Sequence, residues 1–439
     1  MTAHDQVSPP AVEAPRAPVK LEETGVERTV LRDILLKTIF RTGVETITQM
    51  ARAAHVVPPV IDALIDIMRA DSMIETLGNR GASAAAEMRY QLTDSGRARA
   101  LDALAQSEYY GAFPVSLRSF ADQAKRQSIR RAAITRDALE DASSHLVLKD
   151  GLIDQLGPAV NSGRSILLYG PPGNGKSALS QAIRDAIHDH VFIPRVMELD
   201  GQIVSVFDPI VHRALEQEES AASGLRRVVP YDSRFVRCRR PTVITGGELT
   251  LDMLDLNFNP TSRTYTAPLQ LKATGGLFIV DDLGRQRESA QALMNRWIVP
   301  IEQRFDLLAL QSGQKFTVPF DTLVIFSTNF APKSLFDGAA LRRIYYKIQI
   351  DGPSQRDFLK IFVRTAQDYG MKPDEDVIAY MLRDLYPKEG APYASFHAPF
   401  LIDQMSSICI YEGAQPHMSR RLLDQAWSNL FVADAEDTL

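Results

Sequence analysis

The sequence predicts an α/β core, a parallel sheet with flanking helices, with a small α+β domain in front of it and a helical lid behind. Three observations carry that prediction. Ser165-Ile166-Leu167-Leu168-Tyr169 is a short apolar run of the kind buried in parallel sheets, and a glycine-rich turn and a helical pattern over 178–188 follow it at once. Two further apolar runs, 276–280 and 322–327, end in polar pairs, Asp281-Asp282 and Thr328-Asn329. From Asp351 onward the periodicity is helical throughout, over 354–369, 374–386, about 396–411 and 418–431.

With 439 residues, 45% of them hydrophobic and 23% charged, the chain has room for two or three domains. A formal net charge of -5 gives the whole molecule no electrostatic footprint for nucleic acid or an anionic membrane, so any such binding must come from a local patch. Cys238 and Cys409 lie far apart without CxxC spacing, which argues against a disulfide framework or a zinc site and suits a reducing cytosol. His188 and His190 are too close in sequence to share a helix face as metal ligands. No apolar run reaches membrane-spanning length and the N-terminus lacks a signal-peptide pattern, so no membrane insertion and a cytoplasmic location are expected.

Residues 1–26 carry Pro9, Pro10, Pro15 and Pro18 without an apolar period and read as a disordered tail. Leu31, Ile34, Leu35, Ile39 and Phe40 then fall at helical spacing until Gly43, and a second short helix spans 46–54. Pro59 opens a third helix with Ile61, Leu64, Ile65 and Met68 on one face. A strand pair, 73–77 and 88–92, follows, joined by the Gly/Ala/Ser/Asn-rich segment 78–86, and Thr93-Asp94-Ser95-Gly96-Arg97 starts another helix. This order resembles a winged-helix domain, here 27–115. The third helix carries Asp62, Asp66 and Asp71 against Arg69, which DNA phosphates would repel, so protein docking or a structural role is favoured over DNA reading. A basic linker, 116–150, with Arg118, Lys125, Arg126, Arg130, Arg131 and Arg136 is expected to be helical; a solvated face and a contact surface both fit it.

The turn after Tyr169 reads Gly170-Pro171-Pro172-Gly173-Asn174-Gly175-Lys176-Ser177, the GxxxxGK[ST] pattern between a strand and a helix. Glycines let backbone N–H groups point at phosphate oxygens, and the helix N-terminus adds partial positive charge. Lys176 is expected on the β- and γ-phosphates, with the Ser177 hydroxyl on Mg²⁺. The strand ending at Asp281 is expected beside the P-loop strand, its carboxylate completing the magnesium shell. Asp282 and Asn329 would then position the attacking water. The 151–350 segment is therefore expected to be a P-loop NTPase core that binds ATP and Mg²⁺.

Those three strand ends, in that order, look like Walker A, Walker B and sensor 1 of AAA+ ATPases. The approach segment 267–276 and the segment 310–319 are similar to MoxR-like and helix-2-insert branches. Gly247-Glu248-Leu249-Thr250-Leu251, Asn295-Arg296-Trp297-Ile298-Val299-Pro300 and Leu341-Arg342-Arg343-Ile344 resemble a bacterial group described as ATPases with chaperone activity. The resemblance implies a ring, usually a hexamer, with sites between subunits. It implies Arg343, or secondarily Arg342, as an arginine finger, with Lys347 as an accessory.

Three departures from the family stand out. Asp282 replaces the usual glutamate. Pro399 stands where the lid, 351–439, normally offers a sensor 2 arginine, and Arg420 and Arg421 are the remaining candidates. An insertion near 200–264 carries Arg234, Arg237, Arg239 and Arg240, with Phe258 and Tyr265 as pore-loop candidates. The favoured function is an ATP-hydrolysing remodeller of a protein partner docked through the N-terminal domain. The alternatives are a DNA-binding loader or regulator and an ATP-dependent assembly switch with very slow turnover.

Overall fold

Residues 12–79, 87–215 and 231–431 are described by the structure, a computed structural model. Residues 80–86 of the expected turn between the two front strands, and 1–11 of the expected tail, lie outside them. Contacts divide the chain into two units: 1–133, 187–279 and 286–324 form the first, and 134–186, 280–285 and 325–439 the second.

The core sheet is built of β1 (Ile166–Tyr169), β2 (Thr242–Thr245), β3 (Leu277–Val280), β4 (Leu323–Thr328) and β5 (Tyr346–Gln349), in the order β5-β1-β4-β3-β2. It is a parallel sheet with flanking helices, with the helix Lys176–Asp185 leaving the glycine turn after β1. Residues of β3 and β4 are buried throughout, which is why those runs are continuously apolar rather than alternating. One expectation is corrected here. The P-loop strand pairs with β4, Ile166 opposite Ile325 and Tyr169 opposite Thr328, so the strand ending in Asp281 is one place further out. Strands with the same apolar pattern carry no signal of which is whose neighbour, so sequence order is a poor guide to sheet order.

In the second unit, helices Gln355–Asp368, His397–Tyr411 and Arg420–Leu430 pack around Phe358, Phe362, Met381, Leu401, Met405 and Leu422. Ser354 caps the first and Ser419 the last, each side-chain oxygen accepting from a backbone N–H three residues on. The predicted helix over 374–386 is interrupted: Glu375–Tyr380 passes through a wider π turn, Met381–Leu385, into Tyr386–Glu389. Pro387 lacks the N–H that the Arg383 carbonyl needs in an α-helix, which explains the local widening.

The first unit begins with helices Arg28–Thr42, Ile47–Ala54 and Pro58–Ala70, an antiparallel pair Ile74–Asn79 and Met88–Leu92, and the helix Asp94–Gln106. Gly43 closes the first helix in the left-handed region, and Thr46 and Gln49 form a reciprocal cap on the second. From Val12 the tail expectation fails: Leu21, Thr24 and Val26 are buried. The boundary at 115 also shifts, because Leu31, Leu35, Ile61 and Leu64 share a core with Val196 and Ile203. Val115–Ser116 pairs with Val196–Leu199 in a second sheet that continues through Gln202–Ser205, Thr264–Thr266 and Asn257–Asn259. The front helices and the insertion therefore fold together, and the insertion starts before the expected residue 200. The basic linker is likewise not one helix: Leu117–Arg126 and Arg136–Ala142 are separated by a tight turn, Ile129–Arg131.

Candidate functional site

Every residue of the candidate nucleotide site lies in the second unit. Gly170 leaves β1 at φ +144°, where its N–H donates to Thr328 O and an added Cβ would strike the Ile350 carbonyl. That close approach restricts the position to glycine. At the other end of the loop, Lys176 is the first residue of its helix. Its side chain folds back, 7% exposed, with Nζ donating to the carbonyls of Gly170 at 2.9 Å and Pro171 at 2.8 Å. Burial pulls the Lys176 ammonium below its ordinary value, and the carboxylates of Asp282 and Asp281 oppose that shift.

Ser177 is exposed, and its hydroxyl donates to Asp281 Oδ2 at 2.7 Å. The other Asp281 oxygen accepts the Ser327 hydroxyl and the Asp282 N–H. So β4 intervenes between β1 and β3, yet the three strand ends still converge on one carboxylate. Asn329 Nδ2 donates to Asp282 Oδ1 at 2.7 Å, linking the two residues expected to orient water. Asp282 has φ +53°, left-handed backbone that L residues other than Asn and Asp rarely adopt. This gives the Asp-for-Glu departure a local physical reason: the chain turns sharply here, and the shorter acid tolerates the turn better.

Beside the loop is a cavity of about 550 Å³, a volume suited to a small-molecule ligand. Asn174, Gly175 and Leu179 form its loop side, and Leu146, Val147, Leu148 and Ile361 supply apolar wall. Arg364 anchors that wall, donating to Ser144 O at 2.8 Å. Sequence reasoning missed the 145–150 segment, which has no periodicity to mark it. It also missed Ser327, although a hydroxyl closing an otherwise apolar run was a readable signal.

The donor set fits magnesium in kind: one hydroxyl and one carboxylate, both hard oxygen donors, stand 2.7 Å apart beside a buried lysine. Arg342 and Arg343 end the short helix Gly338–Arg343, which Asp337 caps. Arg342 is exposed, whereas Arg343 is half-buried with Nη1 donating to Ala339 O at 3.0 Å. Lys347 turns back to Ile344 O.

The other expected residues are engaged elsewhere. Arg421 pairs with Glu412 at 2.6 Å, and the Arg420 guanidinium lies 5.0 Å from the centre of the Tyr380 ring, so both are taken up within the lid. Pro399 sits in the first turn of His397–Tyr411, and the residue before that helix, Phe396, is what meets the P-loop. Tyr265 is corrected as a pore candidate: it is 5% exposed, its ring 4.9 Å from that of Phe258.

A family model described as a domain of unknown function (DUF8689) matches residues 354–429, the helical segment after the sheet. No curated protein matches the chain significantly in sequence. Among solved structures, NtrX from Brucella abortus is similar at 14% identity and a TM-score of 0.41, covering 68% of this chain; the chain spans 58% of that protein. The RuvB Holliday junction branch migration motor of Thermotoga maritima is similar at 13% identity and a TM-score of 0.35, over 70% of this chain and 73% of that one. No helix among the described residues is long and apolar enough to cross a membrane.

Proposed function

We propose that this protein is an ATP-hydrolysing AAA+ ring ATPase that remodels a protein partner. The observation that carries the reading is the convergence of Ser177, Ser327 and Asp282 on Asp281, with Asn329 holding Asp282, next to the loop that buries Lys176. Such an array orients and holds charge around a nucleotide rather than supplying a covalent nucleophile, which is what phosphoryl transfer to water needs. Lys176 would exchange its two loop carbonyls for phosphate oxygens, and Ser177 with Asp281 would hold magnesium, whose charge stabilises the triphosphate. Asp282, steadied by Asn329, would orient and deprotonate the attacking water. Self-association, in a hexamer by family resemblance, would bring Arg343 or Arg342 to a neighbouring subunit's nucleotide. The exposure of Arg342 makes it the more accessible of the two.

A second reading, an assembly switch with very slow turnover, draws on two observations. The lid offers Phe396 instead of a cation to the P-loop, and Asp282 is shorter than the usual acid. Steady-state ATP hydrolysis with mass photometry in parallel separates the two. Turnover that rises as ATP-dependent rings form, and disappears in Lys176→Ala and Asp282→Asn, supports the ATPase. Rings without turnover support the switch. Turnover unchanged in both Arg343→Ala and Arg342→Ala removes the intersubunit arginine.

A further inference from the structure

The first unit holds a second concave site, about 420 Å³ in volume, at the C-terminal end of the helix Ile47–Ala54. Arg52, Arg195 and Arg237 line it, with His55, Tyr231 and Ser233. The architecture fixes these positions. Arg195 joins two strands, its N–H donating to Arg234 O and its carbonyl accepting from Val206 and Phe207. Arg237 lies within the strand Phe235–Arg239, opposite Phe192. Ser233 donates its hydroxyl to the His55 carbonyl at 2.7 Å, tying the insertion to the end of the helix.

The charge balance there is unusual. Two neighbouring arginines are neutralised by carboxylates: Arg234 by the buried Asp232 at 2.8 Å, and Arg240 by the partly buried Asp189 at 2.5 Å. Among the described residues Arg195 and Arg237 have no such partner, and the Nε of each is buried without a hydrogen-bond acceptor. Among the described residues no carboxylate lines the cavity. Arginine does not shed its proton at any ordinary pH, so these are standing positive charges. Buried donors are almost always satisfied, and unsatisfied ones mark a strained or functional place. His55 reports the same field: burial, and then the Arg195 charge, pull its imidazole down to about 4. Among the described residues the site is therefore a cavity with three guanidiniums and no acid, with Arg237 held in a strand and Arg195 between two strands.

We infer that this cavity binds a compact phosphorylated molecule, its phosphate oxygens accepting from the Arg195 and Arg237 guanidiniums, with Arg52 at the exposed edge. Guanidinium forks match phosphate oxygens bidentately, and a site of this volume admits a di- or polyphosphate or a small sugar phosphate. This goes beyond the ATPase reading, since the P-loop lies in the other unit.

The probe is inorganic pyrophosphate, titrated calorimetrically into the full chain carrying Lys176→Ala, so that the P-loop does not contribute. Binding at one site per chain is expected, weakened at least roughly tenfold by Arg195→Gln or Arg237→Gln, as loss of a charge-assisted contact implies. Arg52→Gln, at an exposed position that does not support the core, should weaken it about threefold, in line with a screened surface charge. Arg237→Lys should restore only part of the loss, since the charge returns without the fork. Circular dichroism confirms that each variant is folded, and Arg52→Gln keeps the test decisive if the buried variants are not. Absence of pyrophosphate binding in the Lys176→Ala protein, or equal affinity in all the arginine variants, overturns the proposal. Displacement of pyrophosphate by a short single-stranded oligonucleotide also overturns it, by identifying a nucleic-acid backbone as the occupant.

Discussion

Phe396 rests on Gly173: its N–H donates to the Gly173 carbonyl at 2.9 Å, and its ring occupies the place a Cβ on Gly173 would take. A hydrogen bond from the Ser395 N–H to the Asn174 side-chain Oδ1, at 3.1 Å, lies alongside. The residues just before the lid's third helix therefore hold the middle of the phosphate loop through backbone and an aromatic face. Gly173 is also left-handed, φ +73°, so a side chain there is doubly penalised. Gly173→Ala should cost about 2 kcal/mol of stability, from backbone strain and the clash together. Made in a Phe396→Ala background it should cost about half that, because only the strain remains. Urea denaturation of the four proteins in the cycle measures this; equal costs in both backgrounds would show that ring and loop are not coupled.

The Ser177–Asp281 hydrogen bond predicts a metal-dependent phenotype. Ser177→Ala and Asp281→Asn should each weaken ADP binding at least about tenfold in magnesium, the cost of losing one charged contact, while leaving affinity in EDTA nearly unchanged. Fluorescence titration of a labelled ADP in the two buffers reads the difference directly. A loss of equal size with and without magnesium would place both residues outside a metal shell.

Asp282 and Asn329 make a separate prediction, about chemistry rather than binding. Asn329→Ala removes the amide that holds Asp282 Oδ1, so kcat should fall roughly a hundredfold at similar KM, the scale of a mispositioned general base. Asp282→Glu introduces the acid usual in the AAA+ pattern that the sequence resembles but places a less tolerant side chain at φ +53°, so it should lower stability by about 1 kcal/mol and not raise turnover. Faster hydrolysis by Asp282→Glu would mean that acid length, not the turn, sets the rate.

The parts of this molecule that were legible in the sequence are those where local chemistry forces the chain. Thr46, Thr93, Ser354 and Ser419 all cap helices, and Gly43 ends one, because capping groups act within four residues. The buried strands and the glycine loop were legible for the same reason. What was not legible is long-range. Nothing in 276–280 or 322–327 says which run pairs with the P-loop strand, and nothing in Val196 or Ile203 says that they complete the core of helices more than a hundred residues away. The arginines of the insertion look alike in sequence; Asp232 and Asp189 decide that two are structural, while among the described residues no carboxylate pairs with Arg237.

Arg234 illustrates how the first unit depends on that distinction. It and Asp232 are almost fully buried, and its Nη1 also donates to the carbonyls of Thr24 and Pro114 at 3.3 and 3.1 Å. Asp232→Ala would strand a guanidinium in the interior, and removing one member of a buried pair costs about 3–5 kcal/mol. Asp232→Ala should therefore lower the unfolding midpoint sharply, whereas the Lys360–Asp357 pair, with the lysine half exposed, should give under about 1 kcal/mol on Asp357→Ala beyond its loss as a helix-end acid. Denaturation midpoints that move equally for the two would contradict the burial argument.

His55 gives a prediction in pH. Burial and the Arg195 guanidinium lower its imidazole to about 4 in the folded chain, while the unfolded chain keeps the ordinary value near 6.5. Between those two values the unfolded state binds the extra proton, so stability falls as pH drops from about 6.5 towards 4 and is unaffected by this group above 6.5. His55 occupies left-handed backbone, φ +54°, which asparagine also tolerates, so His55→Asn removes the titration without a new backbone penalty. Urea midpoints at pH 7.5, 6.5, 5.5 and 4.5 should show the wild type losing ground to His55→Asn at each step below 6.5. A constant gap across the series would mean that the imidazole is not held neutral by its surroundings, and that the positive field around Arg195 is weaker than the unpaired guanidiniums imply.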